Sequence, residues 1–167
     1  MNIIKIIPET ITDGNGLRMS IYVSGCKHHC FGCHNPQTWN FKIGEPFTEE
    51  RLDHIIKDYK KNPLLNGITF SGGDPLETEN AIDLKNILES MKKEGINIWC
   101  YTGHLYEDLV LMDPQRQCLK YIDVLVDGPY IDELRDPNLK FRGSSNQRIL
   151  YLRPDDVSDT GIVYKRQ

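Results

Sequence analysis

The sequence predicts an α/β fold in one domain, built on a mostly parallel sheet, and three observations carry that reading. Short β-branched and aromatic runs alternate with amphipathic stretches in the order strand, loop, helix, the pattern of parallel strands joined by right-handed crossovers. The 167 residues suffice for one core but fall well short of the roughly 250 of a full eightfold barrel, which leaves an open sheet or an incomplete barrel. The glycine- and cysteine-rich segments each fall just after an expected strand, and a parallel sheet gathers such segments at one face.

Along the chain, the loop Asp13 to Arg18 is punctuated by Gly14 and Gly16 and feeds an expected strand, Met19 to Val23. Gly25 ends that strand and the cysteine segment follows. Thr48 is placed to cap a helix with Glu49 and Glu50 in its first turn, Leu52, Ile55, Ile56 and Tyr59 at helical spacing, and Pro63 closing it. Ile68 to Phe70 reads as a short strand running into Ser71-Gly72-Gly73-Asp74-Pro75. A second helix spans about Glu79 to Glu94, with Ile82, Leu84, Ile87, Leu88 and Met91 on its apolar side and Gly95 capping it. Strand Ile96 to Tyr101 runs into Thr102-Gly103, a short helix interrupted by Pro114 follows, Val124 to Val126 is a strand ending at Asp127-Gly128, and Arg148 to Leu152 is the last strand. No internal repeat or linker divides the chain, so residues 1–167 read as one unit with a core from about 8 to 152 and a tail beyond it.

Composition narrows the function classes. The formal charge of -4, from 24 acids against 20 bases, argues against a nucleic-acid footprint. The apolar start, Met1 to Ile7, is cut by Pro8, too early for a signal peptide, and no run approaches the roughly 20 apolar residues of a spanning helix. A soluble, cytoplasmic chain with no membrane partner is expected. Five cysteines is an odd number, and three of them lie within eight residues, which suits a metal site better than a disulfide framework.

Cys26, Cys30 and Cys33 stand in the spacing Cys-x3-Cys-x2-Cys, so one tight loop can bring all three thiolates to a small cluster. A four-iron cluster has four irons to ligate. Three ligands without a fourth nearby leave one iron open, and an open iron implies reactivity rather than electron carriage alone. The rival is zinc, with His34, His28 or His29 as fourth ligand, although so compact a run strains a tetrahedron. Three buried structural thiols fit less well, because Lys27, His28, His29 and His34 make the segment polar. Cys100 and Cys118 read as small packed hydrophobes.

Gly72 and Gly73 after a strand let the backbone approach a ligand closely. The same pair also occurs in ordinary strand-to-helix turns. Asp74 is expected to shape the loop, Trp39 and Trp99 to pack, and His54 and His104 to face solvent.

The run Gly25 to Pro36 with Thr38-Trp39 resembles the cluster loop of radical S-adenosylmethionine enzymes, specifically those that activate glycyl-radical enzymes. The Asp13 to Arg18 loop, Val126-Asp127-Gly128 and Arg142-Gly143-Ser144-Ser145-Asn146-Gln147 are similar to the branch serving anaerobic ribonucleotide reductase. The resemblance covers residues 8 to about 150 and implies a partial (β/α) barrel. It further implies a [4Fe-4S] cluster on Cys26, Cys30 and Cys33, with S-adenosylmethionine chelating the open iron. Cofactor contacts would come from Gly32, Cys33, His34, Gly72 and Gly73, with Thr102 and Asp127 as further candidates. Reductive cleavage would yield a 5′-deoxyadenosyl radical that takes hydrogen from a glycine of the partner, the anaerobic ribonucleoside-triphosphate reductase. The electron would come from an external low-potential donor such as a flavodoxin, and a homodimer is compatible. The residue before the last cysteine, often aromatic across the superfamily, is Gly32 here with Phe31 one place earlier, so any adenine contact from that position is made by backbone. Two other readings remain open at this point: a radical enzyme acting on a small molecule, such as one building a modified purine, and a zinc-stabilised interaction module without catalysis.

Overall fold

A computed structural model describes residues 1–152 and, as backbone, residues 164–166. The tail expected from about residue 153 therefore lies outside the described residues, except for its last strand. The elements are β1 (Asn2–Thr10), β2 (Arg18–Val23), β3 (Glu45–Pro46), α1 (Glu49–Lys61), β4 (Gly67–Gly72), α2 (Thr78–Lys93), β5 (Ile98–Tyr101), α3 (Tyr106–Leu109), α4 (Gln115–Leu119), β6 (Val124–Asp127), β7 (Arg148–Leu152) and β8 (Tyr164–Arg166). One sheet holds all eight strands in the order β3-β1-β2-β4-β5-β6-β7-β8. Its four central strands, β2, β4, β5 and β6, are parallel, as the alternation of elements predicts. Both flanks are antiparallel.

The antiparallel flanks explain what pattern reading overlooks. β1 carries Ile3, Ile4, Ile6 and Ile7, a run that periodicity alone does not assign, and Pro8 falls where its ladder with β2 is irregular, between Ile7 and Thr10. There β1 has no second partner, since β3 pairs only with Asn2 and Ile3, so the missing N–H is tolerated. The two-residue β3 is too short to leave a sequence signal.

The helices form where their caps and stripes place them. Thr48 Oγ1 accepts from the Arg51 amide at 3.2 Å, with Glu49 and Glu50 in the first turn of α1 and Lys60 and Lys61 in the last, each favourable to the helix dipole. On α2, Leu84, Ile87, Leu88 and Met91 recur at i, i+3, i+4 and i+7 and are buried. Ile82 falls off this stripe and is 59% exposed, contrary to the expectation that it shares the apolar side. Gly95 ends the helix at φ +72°, where any other residue is strained. The core lies between the parallel strands and these helices, with Ile21, Ile68, Phe70, Ile98, Leu125 and Leu150 fully buried from the sheet. Among the described residues no helix is long and apolar enough to cross a membrane.

The largest fully buried side chain is Arg18. Its guanidinium donates to Thr69 Oγ1 at 2.8 Å, to the carbonyls of Ile68 and Asn97 at 3.0 and 3.1 Å, and to Asn15 O at 3.3 Å. Trp99 covers it, with the ring centroid 5.4 Å from Cζ. Burial lowers its pKa to about 10. This one residue ties the Asp13 to Leu17 loop to β2, β4 and β5. Gly14, at φ +134°, has no room for a side chain there, because a Cβ would lie 2.9 Å from Trp99 and from Arg18.

Candidate metal and cofactor site

The ends of β2, β4, β5 and β6 open onto a cavity of about 500 Å³. Cys26, Cys30 and Cys33 line it together with Gly32, His34, Gly72, Gly73, Asp74, Thr102 and Gly128, so the expectation that these segments share one face holds. A cavity of about 720 Å³ beside it, reaching Trp99 and Tyr151, contains none of the cysteines.

The cysteine loop is held by main-chain bonds that its own sequence does not announce. Gly25 N donates to Thr38 O at 2.7 Å and Cys26 N to Trp39 O at 3.3 Å, while Cys33 N closes a turn on Cys30 O at 3.1 Å. Asn80 Nδ2 donates to Ser24 O at 2.8 Å and to Asp74 O at 2.9 Å, joining α2 to both loops. His29 adopts φ +47° with its ring on Trp39, centroids 4.6 Å apart. Trp39 thus lines the cavity as well as packing, whereas Trp99 is a packing residue as expected. Gly32 adopts φ +71° with a Cβ position 2.6 Å from Asp132 Oδ1, a local reason for glycine before the last cysteine. Phe31 is 83% exposed.

All five cysteines are free thiols, and the three of the loop are half-buried. Burial pushes the Cys26 thiol up to about 12 and raises that of Cys30, while main-chain hydrogen bonds from His28 and Tyr130 partly oppose it. Metal binding must therefore release protons from these sulfurs. Cys100 and Cys118 are fully buried away from the cavity, and Cys118 Sγ donates to Ala81 O at 3.4 Å. Of the histidines considered as a fourth ligand, His28 is bound to Asp74 and His29 is stacked on Trp39. His34 is exposed at the cavity. A donor set of three thiols, accessible in one cavity without a fourth cysteine, fits a four-iron cluster with one iron left open.

Gly72 and Gly73 meet the cysteine loop backbone to backbone. Gly73 N donates to Val23 O at 2.8 Å and Asp74 N to Gly25 O at 2.8 Å. A Cβ on Gly73 would lie 2.5 Å from Gly25 O, and one on Gly72, at φ +104°, 2.6 Å from Val23 O. Neither obstacle is a flexible side chain. Gly72→Ala is expected to cost about 1–3 kcal/mol, from strain plus overpacking, read as a lower urea midpoint with unchanged m-value. Gly95→Ala, which meets nothing within 4 Å, should cost less. Equal costs would show that the close approach at Gly72 carries no weight.

Asp74 shapes the loop more extensively than its place in a turn suggests. Its Oδ2 accepts from His28 Nε2 at 2.9 Å, Thr102 Oγ1 at 3.0 Å and Gly103 N at 2.9 Å, and its Oδ1 from Leu76 N at 2.9 Å. The bond to Asp74 raises the His28 pKa above its ordinary value. Thr102 is nearly buried. Asp127, a candidate cofactor contact by resemblance, is fully buried and does not line the cavity. Its carboxylate pairs with Arg148 and accepts from Tyr106 N at 2.8 Å, so only the neighbouring Gly128 reaches the site. His54 faces solvent as expected, but His104 does not: its side chain is 19% exposed and its ring packs edge-on against His28, centroids 4.5 Å apart. Sequence reading misses His104 and Glu77, whose Nε2 and Oε2 stand 4.0 Å apart, because neither is in a ligand-like spacing and two separate segments, before α2 and after β5, bring them together.

Comparison with known proteins agrees with this geometry. A family model described as a 4Fe-4S single cluster domain matches residues 12–150. The chain is 40% identical over 156 residues to the anaerobic ribonucleoside-triphosphate reductase-activating protein of Escherichia coli (strain K12), covering 92% of this chain and 100% of the relative. It is 42% identical over 149 residues to the protein of that name from Salmonella typhi, covering 87% and 96%, and 37% identical over 155 residues to that of Enterobacteria phage T4, covering 89% and 93%. With three clustered thiols at the strand ends and likeness along most of its length, the chain belongs to the anaerobic ribonucleoside-triphosphate reductase-activating protein family and carries a 4Fe-4S single cluster domain.

Proposed function

We propose that this chain activates an anaerobic ribonucleoside-triphosphate reductase by radical S-adenosylmethionine chemistry, with Cys26, Cys30 and Cys33 as the three protein ligands of a [4Fe-4S] cluster. The observation that carries the reading is the shared cavity of these thiols and the Gly72-Gly73 turn. When bound, the cluster supplies the electron for cleavage of S-adenosylmethionine to methionine and a 5′-deoxyadenosyl radical, which takes hydrogen from a glycine of the reductase. The protein's part is to bind, orient and exclude water. Gly72 and Gly73 present main-chain groups to the methionine end of the cofactor, in a turn that a side chain would push away from Val23 and Gly25. Gly32, Cys33 and His34 line the same cavity, and Thr102, its hydroxyl donating to Asp74, lines it from the end of β5. The buried Asp127, paired with Arg148, ties β6 to β7 next to Gly128.

The open cavity is closed by the reductase's glycine-bearing loop, an external low-potential donor such as a flavodoxin delivers the electron, and the protein works in the cytoplasm, with a homodimer compatible. The chain acts as one domain whose sheet curves as a partial barrel. The test uses protein purified without oxygen, reconstituted, reduced and given S-adenosylmethionine with the reductase. The expected result is 5′-deoxyadenosine together with a glycyl-radical signal on the reductase. Cleavage without that signal would overturn the substrate, pointing to a small molecule, and a colourless zinc-loaded protein would overturn the reaction itself.

A further inference from the structure

Beside the cysteine loop, four ligand-capable side chains converge from three elements. His28 comes from the loop itself, Asp74 and Glu77 from the turn between β4 and α2, and His104 from the segment after β5. Their ligand atoms all lie within 4.8 Å of one another. The side chains of Asp74 and Glu77 are only 1% and 6% exposed, and two carboxylates side by side out of water require compensating positive charge. Lys27, next to His28 in the chain, turns its ammonium outward to Glu79. Only one of the two imidazoles bonds a carboxylate directly. His28 Nε2 reaches Asp74 Oδ2, but His104 Nε2 stands 4.0 Å from both Asp74 Oδ2 and Glu77 Oε2 and, among the described residues, is buried without a hydrogen-bond partner.

The geometry points to a second metal site, separate from the thiols, in which His28 Nε2, His104 Nε2, Asp74 and Glu77 bind one divalent transition ion of the zinc class. Two imidazoles with two carboxylates suit zinc or ferrous iron better than magnesium or calcium, which prefer oxygen throughout. Tetrahedral zinc with ligand bonds of about 2.0–2.2 Å holds its ligand atoms about 3.3–3.5 Å apart. The His104 contacts at 4.0 Å therefore close by roughly half an ångström and the His28 to Asp74 contact at 2.9 Å opens by as much. The carboxylates are already oriented from behind: Thr102 Oγ1 and Gly103 N donate to Asp74, and Lys27 N donates to Glu77 Oε1 at 2.7 Å. With four protein ligands and no open position, such an ion is structural. It would fasten the cysteine loop, two residues after Cys26, to the ends of β4 and β5 whether or not the iron is in place.

The test reads metal content rather than activity, so it stands or falls apart from the proposed reaction. The anaerobically reconstituted holoprotein, stripped of loosely held metal, is titrated with zinc and analysed for iron and zinc after gel filtration. One zinc per chain beside undiminished iron is expected. Because altering an outer-shell partner alone costs 10–100-fold in affinity, His104→Ala and Glu77→Gln should each weaken zinc binding at least ~10-fold while the cluster absorbance is retained. As an independent arm, the variant with Cys26, Cys30 and Cys33 all changed to alanine is titrated with cobalt. It should show weak visible bands without sulfur-to-metal charge transfer. Zinc taken up only as iron is lost, equal uptake by both variants, or no uptake at micromolar zinc, the result of a water bridging His104 to the carboxylates, would each overturn the site.

Discussion

Cys30→Ala is expected to drop the iron content from about four per chain to background, to remove the brown absorbance, and to abolish activation of the reductase. Cys30 is the middle ligand of the loop, and with it gone two thiols remain with no fourth cysteine in the cavity to replace it. The fold should persist, because Gly25 N, Cys26 N and Asn80 hold the loop through oxygen acceptors, and Cys30→Ala removes only the main-chain bond from Tyr130 to its sulfur. Far-UV circular dichroism and the urea midpoint should therefore change little beside the metal content. Cys100→Ala makes the contrast: that thiol is fully buried in β5, so its loss costs stability and leaves iron in place. Retention of about four irons by Cys30→Ala, or their loss from Cys100→Ala, would overturn the ligand assignment.

Arg18→Ala is expected to cost about 3–5 kcal/mol, combining the cavity left by a large buried side chain with carbonyls stripped of their donors. The guanidinium satisfies acceptors from Thr69, Ile68, Asn97 and Asn15, and among the described residues no carboxylate pairs with it. Arg18→Met refills much of the volume but not the hydrogen bonds, so it should recover only part of the loss. Urea unfolding of the three proteins, with unchanged m-value, measures both. Full recovery by methionine would show that packing against Trp99, and not the hydrogen bonding, is what Arg18 supplies. Since Thr69 Oγ1 also donates to Asp13 O at 2.8 Å, and Asp13 lines the cysteine cavity, the loosened loop should reach the site as well.

The parts legible in the chain are those whose physics is local. Three cysteines within eight residues need only a tight loop to meet, Thr48 caps α1 through its own neighbours, and the α2 stripe follows from helical spacing. The topology of a parallel sheet then carries the Gly72-Gly73 turn and Thr102 to the same face as the cysteines. Edge strands β1 and β3 escaped because their pairing, not their pattern, makes them strands. Asp127 shows the same limit at the site: the resemblance implies a cofactor contact from it, yet Arg148, 21 residues away, pairs with its buried carboxylate.

The clustering of thiols in the cysteine loop, the parallel run of the central strands and the end of the sheet at which their loops meet were set by composition and spacing, because each depends on residues close in the chain or on a handedness rule that nearly every parallel crossover obeys. Tertiary structure alone decided which polar groups became buried partners. Arg18 under Trp99, and His28 and His104 converging on Asp74 and Glu77, are juxtapositions across 27 to 81 residues. They form because burying a polar group requires a partner, and only the folded chain brings that partner near.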